Sequence, residues 1–300
     1  MAMPHRSKCY MIEDQFLLTP QLLQKLESWL REDIGRADLT APALRNRCGR
    51  AYWTAGAAGV FCGGVLVEPL FRLLDPAVKV EREVADGTPI AVGQRLLTLS
   101  GEAMALAAAE RTALNLAMWL SGVATTTSTL VQQLNGTGVQ LADTRKTTPG
   151  LRILEKYAVR CGGGINHRMG LDDAAMLKEN HLAWAGSVSA AVAAVRREAP
   201  WSTCVIVEAE TASEAKAAVL AGVDAVLLDG FSPSQLKALV PVLRQLASKR
   251  PESSIVLEAS GVDITQIKAY GGTGVDLISS SAPTSRSLWL DLSMRFGKLG

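Results

Sequence analysis

From about residue 138 to residue 281 the chain repeats one pattern, in which short unbroken apolar runs are followed by polar residues and then by amphipathic stretches. The runs are "GVQLADT", "YAVRCGGG", "AAMLKENH", "CVIVEAE", "AVLLDG", "SIVLEAS" and "DLISSS". Apolar runs without alternation suit strands covered on both faces, and segments such as "SVSAAVAAVRREA" and "PSQLKALVPVLRQLASKR" supply the covering helices. Strands interleaved with helices run parallel, so the pattern predicts an α/β barrel, complete or open. No period is strict enough for a solenoid.

The preceding half has a different texture. "TPQLLQKLESWLREDIG" predicts an amphipathic helix with Thr19 as N-cap, Pro20 at the first helical position, and Leu22, Leu23, Leu26 and Leu30 on one face. "VKVEREVADGTPIAVGQRLLTLSG" alternates apolar and polar residues around Asp86-Gly87, the pattern of short antiparallel strands. "EAMALAAAERTALNLAMWLSG" predicts a long apolar helix interrupted by one charged pair, Glu110-Arg111. A chain of 300 residues has room for a barrel and a smaller companion domain.

The totals exclude several classes. Thirty-one Lys and Arg against 29 Asp and Glu leave a formal charge of +2, so no global field points to nucleic acid or an anionic membrane. Cys9, Cys48, Cys62, Cys161 and Cys204 lie far apart without a C-x-x-C pair, which argues for reduced thiols in a cytosol rather than a disulfide frame or zinc site. "MAMPHRSKCYMIEDQ" lacks the apolar core of a signal peptide, and "AGAAGVFCGGVLVEPLF" is too short and glycine-broken to span a bilayer. The expected location is cytoplasmic.

In such barrels function gathers at the C-terminal strand ends, and here those ends are polar: Asp143-Thr-Arg145-Lys146, Lys178-Glu-Asn-His181, Glu208-Ala-Glu210, Asp229, Glu258-Ala-Ser260 and Ser279-Ser280-Ser281. Basic residues and histidines dominate from Arg145 to His181, and acids from Glu208 to Asp229. One rim is suited to anions, the other to a metal or a developing cation. Each residue alone has a plainer reading. A Lys or Arg after a strand is commonly a solvated loop residue. Gly162-Gly163-Gly164 either cradles a phosphate or marks a tight turn. Glu208, next to residues facing the opposite side, is as readily turned away from the site. An exposed helix charge is the plain reading of Arg111. The combination carries the weight.

"DTRKTTPGLRILEKYAVRCGGGINHRMGLDDAAMLKENH" resembles the signature of the quinolinate phosphoribosyltransferase family, and "REDIGRADLT", "ERTALNLAMWLSGVAT", "VEAE", "LEASG", "TGVDLIS" and "LDLSM" follow in the family's order. The resemblance implies an N-terminal α/β sandwich domain over 1–128, a C-terminal open α/β barrel over 129–285, and a tail, 286–300, packing back on the first domain. It implies transfer of phosphoribose from phosphoribosyl pyrophosphate to the nitrogen of quinolinate, with decarboxylation to nicotinate mononucleotide. Arg111, Arg145, His167, Arg168 and Lys178 would grip the dicarboxylate. Lys146, Glu210 and Asp229 would act in catalysis and, with Ser260, Gly261 and Ser281, bind the phosphoribosyl donor. Glu210 and Asp229 would hold Mg²⁺, partly through water. A homodimer, or a multiple of dimers, would share its sites, Arg111 entering the partner's.

Gly230 stands where the family usually has Asn, Val262 where a second glycine is common, and Ser285-Arg286 where many members have His; these departures bear on phosphate and metal contacts. The resemblance has rivals: a molybdenum-transport-associated paralogue of the same fold, a Schiff-base barrel aldolase using Lys146 or Lys178, and a barrel decayed to a scaffold. The intact basic set and "KENH" oppose the first, and the retained acids oppose the last.

Overall fold

The computed structural model describes residues 16–250 and 254–297; Cys9 and the leader reading of 1–15 fall outside them. The chain forms two compact units. One comprises the described residues up to Thr125, Arg160–Gly162 and the stretch from Ser287; the other comprises Thr126–Val159 and Gly163–Arg286.

In the first unit, helix α1 (Pro20–Ile34) begins as its sequence predicts, the Thr19 hydroxyl accepting the Leu22 N–H at 3.2 Å. Leu22, Leu26 and Leu30 are buried, and Leu23 is half-buried. Strands β1 (Cys48–Ala55), β3 (Lys79–Arg82), β5 (Arg95–Glu102) and β12 (Leu292–Phe296) form an antiparallel sheet in the order β12-β1-β5-β3. The C-terminal strand is thus an edge of this sheet. Asp86-Gly87 does not close a simple hairpin: β3 pairs with β5, while β4 (Pro89–Ile90) pairs with β2 (Gly59–Val60). Asp86 is instead buried, and its carboxylate accepts the N–H groups of Gly63 and Gly64 at the start of α2 (Gly64–Arg72). A carboxylate there satisfies orphan donors and complements the helix dipole. Helix α3 runs from Ala103 to Gln133, longer than the apolar pattern alone predicts. Among the described residues no helix is long and apolar enough to cross a membrane.

The second unit is built on a parallel six-stranded sheet, β6 (Gln140–Ala142), β11 (Leu277–Ser279), β10 (Val256–Ser260), β9 (Ala225–Asp229), β8 (Val205–Ala209) and β7 (Ala175–Leu177), in that order. Helices α4 (Arg152–Cys161), α5 (Glu179–Ala185), α6 (Val188–Glu198), α7 (Ala212–Leu220), α8 (Pro233–Ala247), α9 (Ile267–Gly271) and α10 (Ala282–Ser285) connect the strands. The sheet ends at β6 and β7 without pairing them, so the barrel is open. "YAVRC", expected as a strand, is the end of α4: Leu154, Tyr157, Ala158 and Cys161 recur at helical spacing and are buried. In its place, Ile165 makes one parallel bridge to Ala142. The glycines of "CGGG" terminate α4. Gly163 takes φ +88° and the Gly164 N–H donates to the Val159 carbonyl, a Schellman-type ending, and a Cβ on Gly164 would lie 2.8 Å from the Val159 side chain.

The two strand faces are distinct. Val205, Val207, Ala209, Val226, Leu228, Leu257 and Ala259 pack in the large core beneath the helices. Ile206, Ala225 and Leu227 form a smaller cluster on the opposite face, with Met176 and Val256 against it.

Candidate active site

The inner face sets the site. Continuing its alternation toward the C-terminal strand ends brings Lys178, Glu208, Asp229, Glu258 and Ser260 to one side of the sheet, and register pairs Leu227 with both Glu208 and Glu258, and Asp229 with Ser260. These residues line a cavity of about 470 Å³ together with Arg145, Lys146, Arg152, His167, Arg168 and Ser279. Of the residues expected to grip an anion, Arg145, His167, Arg168 and Lys178 are therefore brought together. Arg111 belongs to the first unit, where it is exposed on α3 beside Glu110, whose carboxyl is raised above its usual range by burial against the pull of Arg111.

The acids do not all line the cavity. Glu208, which its neighbours gave reason to turn away, lines the cavity, and the Lys178 ammonium donates to its Oε2 at 2.5 Å. Glu210 is exposed one residue beyond β8, where its backbone N–H donates to Glu214 as α7 begins, and it is not among the lining residues. The reason is where β8 stops: Glu210 shares the parity of Glu208, but the chain is already turning. Its carboxylate instead gathers with those of Glu208 and Glu179, ligand atoms within 4.8 Å of one another, a group that does not include Asp229. Such hard oxygen donors suit Mg²⁺. Among the described residues the other clustered donor set, Cys62, Asp86 and Cys161, is buried in the first unit, with Asp86 already accepting two backbone N–H groups.

A smaller cavity of about 100 Å³ shares Thr144, Lys146, Ser260 and Ser279 with the first and adds Gly261, Ser281 and Arg286. Gly261 takes φ +65°, and a Cβ there would come within 3.0 Å of both Asp229 Oδ1 and the Gly230 nitrogen. The backbone turn is close because the residue is glycine. Gly230 itself has φ +71°, a conformation that glycine adopts freely and asparagine tolerates, so the backbone has the shape either residue permits. Val262 lines the small cavity; Ser285 does not, its hydroxyl donating to the Ser281 carbonyl.

Sequence reasoning missed the buried supports. Lys156 is 1% exposed and paired with Asp143, equally buried, while also donating to the His167 carbonyl at 2.8 Å. Asp143 further accepts the His167 N–H at 2.8 Å and the Asn166 amide at 2.7 Å. Burial pushes the Asp143 carboxyl up, and Lys156, His167 and Asn166 pull it back. Arg152 braces the "RKTT" loop through Thr147 Oγ1 at 3.0 Å and the Met169 carbonyl at 3.1 Å. Thr284 donates to the Lys146 carbonyl at 2.8 Å, fixing the backbone that presents the lysine to both cavities. Arg168 has its guanidinium pressed below the usual value by burial and then by Arg145, opposed by Asp173 and Glu208. A desolvated guanidinium with a second cation beside it forms a site that an anion stabilises.

Comparison with known proteins decides the family. The N-terminal domain of quinolinate phosphoribosyl transferase matches residues 38–121, and the C-terminal domain of the same family matches residues 123–295. The chain belongs to the quinolinate phosphoribosyltransferase family. It is 42% identical over 272 residues to the probable nicotinate-nucleotide pyrophosphorylase [carboxylating] of Synechocystis, covering 90% of each chain. It is 34% identical over 283 residues to the human nicotinate-nucleotide pyrophosphorylase [carboxylating], covering 93% of each. Among solved structures, the nicotinate-nucleotide pyrophosphorylase of Francisella tularensis is similar at 33% identity, covering 97% of this chain and 100% of that one with a TM-score of 0.87. NadC from Streptococcus pyogenes is 37% identical, covering 93% and 98%, with a TM-score of 0.86. As a member of this family, the chain is a pentosyltransferase.

Proposed function

We propose that this site transfers the phosphoribosyl group of phosphoribosyl pyrophosphate to quinolinate, releasing pyrophosphate and carbon dioxide and giving nicotinate mononucleotide for de novo NAD synthesis. The observation that carries the reading is one cavity with Arg145, Arg168 and Lys178 facing Glu208 and Asp229, joined through Lys146 and Ser260 to a second cavity of hydroxyls, a glycine turn and Arg286. The guanidinium groups suit the two carboxylates of quinolinate. The small cavity suits the 5′-phosphate. The quinolinate nitrogen forms its bond to the anomeric carbon as that carbon's bond to pyrophosphate breaks, the electron pair leaving with pyrophosphate. Asp229 and Glu208 favour the positive charge that develops on the ribose. The C2–carboxylate bond then breaks, carbon dioxide departs, and the electron pair left at C2 takes a proton.

Mg²⁺ would be held by Glu208, Glu210 and Glu179 and would supply charge neutralisation for the pyrophosphate, while Asp229, outside that group, serves the ribose from the cavity wall. Lys146 answers why two cations adjoin in "TRK": Arg145 serves one substrate and Lys146 the other, which places the nitrogen against the ribose. A Schiff-base lysine needs apolar surroundings, whereas Lys178 is held by Glu208. The enzyme works as a cytoplasmic homodimer, or a multiple of dimers, with Arg111 completing the partner's site.

The test is formation of nicotinate mononucleotide from quinolinate, phosphoribosyl pyrophosphate and Mg²⁺. Nicotinic acid is expected to react with a kcat/KM lower by about 10³-fold or more, because a single carboxylate leaves half-buried cations unpaired; equal turnover would overturn the assignment. Arg145→Ala and Arg168→Ala should each weaken quinolinate about 10- to 100-fold by titration calorimetry, whereas Lys146→Ala mainly weakens the phosphoribosyl donor. Identical losses for both ligands in all three variants would contradict the division of labour. Asp229→Ala should cut kcat by about 10²- to 10³-fold with little change in quinolinate affinity, and unchanged turnover would remove it from the mechanism.

A further inference from the structure

His167 lies in the cavity wall, yet both of its ring nitrogens are already engaged. The Arg168 backbone N–H donates to Nδ1 at 2.7 Å, so Nδ1 accepts and the ring proton resides on Nε2. Nε2 faces Glu258 Oε2 at 3.2 Å, which makes this contact an N–H donation to the carboxylate. Glu258 is 1% exposed on β10, and its other oxygen, Oε1, is buried with no hydrogen-bond partner in the protein. A carboxylate oxygen so placed is costly to bury, so Glu258 is held there by what its other oxygen does. The Asn166–Arg168 turn is clamped from the other side by Asp143 and Lys156, and the Arg168 guanidinium is anchored to the Ala174 carbonyl at 3.0 Å.

We propose that Glu258 is a positioning residue: it locks His167 in the Nε2–H tautomer, the unprotonated Nδ1 fixes the Arg168 backbone, and the Arg168 guanidinium is thereby aimed at the dicarboxylate. His167 then acts through Arg168 rather than by donating to the substrate. The identity of that substrate rests on the reading above; the lock does not.

The wild-type protein tests the lock directly. The chain has three histidines, so His167→Asn assigns the ring signals of His167 in ¹⁵N-detected spectra. The expected result at neutral pH is a protonated Nε2 with an unprotonated Nδ1; a ring protonated at Nδ1 overturns the proposal. Glu258→Gln keeps an acceptor for Nε2–H and should hold quinolinate affinity within about threefold, whereas Glu258→Leu should weaken quinolinate about 10- to 100-fold while leaving the phosphoribosyl donor within about twofold. Wild-type affinity in Glu258→Leu, or equal losses for both ligands, overturns the proposal. Failure of the wild type to bind quinolinate would instead overturn the substrate reading, and the tautomer would still decide the lock.

Discussion

Lys156→Met is expected to destabilise the protein by about 3–5 kcal/mol, the range for removing one partner of a buried ion pair. The lysine is 1% exposed, and its loss strands the Asp143 carboxylate inside the second unit with only the His167 N–H and the Asn166 amide to stabilise its charge. The His167 carbonyl loses its donor as well. Replacing both charges, Asp143→Leu with Lys156→Met, should recover part of the loss, because the pair's mutual attraction barely exceeds the cost of removing two charges from water. The recovery is incomplete, since Asp143 also satisfies the His167 N–H. Urea unfolding of the single and double variants measures this as a shift in midpoint at constant slope. A single variant within about 1 kcal/mol of wild type would show that the pair does not hold the turn. Quinolinate affinity should fall in the same variants, because the turn presents Arg168.

The buried supports were hard to read for a physical reason. Lys156 sits in "ILEKYAV", where a charged pair on a helix reads as a solvated face; the available signal was that apolar residues flank Glu155-Lys156 closely enough to leave no polar stripe, and both are in fact buried. Strands buried on both faces raise a related problem. "VIVEA" is apolar at both parities, so nothing in the run says whether Glu208 faces the helices or the barrel, and only its register with the inner residues Ile206 and Leu227 settles it. Arg145 and Lys146 escape alternation altogether, because β6 ends at Ala142 and the loop beyond is free to present neighbours to the same cavity. What was legible followed from long or strongly capped patterns: α1 from Thr19 and its leucine stripe, and the parallel sheet from repeated apolar runs. "YAVRC" failed because a run of five residues, apolar but for Arg160, fits strand and helix equally until Leu154 is counted with it.

Mixed refolding of two inactive variants should restore activity if the sites are shared between subunits. Arg111 is exposed on α3 in the first unit, and the cations lining the barrel cavity do not include it. Should Arg111 complete the partner's site, a dimer of one Arg111→Ala chain and one Lys146→Ala chain holds one site with both residues intact and one with neither. Random pairing makes half of the dimers mixed, and half of their sites competent, so activity should return to about a quarter of wild type. Should Arg111 serve its own chain, every site in the mixture lacks one residue and activity stays at the level of the separate variants. Mass spectrometry of differently tagged chains confirms that mixed dimers have formed. Mixed dimers present without recovered activity would reject the shared site, and Arg111 would then have no part in a partner's cavity. Recovery near one quarter requires that the two residues act in the same site from different chains, a result that neither a fold defect nor a general loss of affinity can produce.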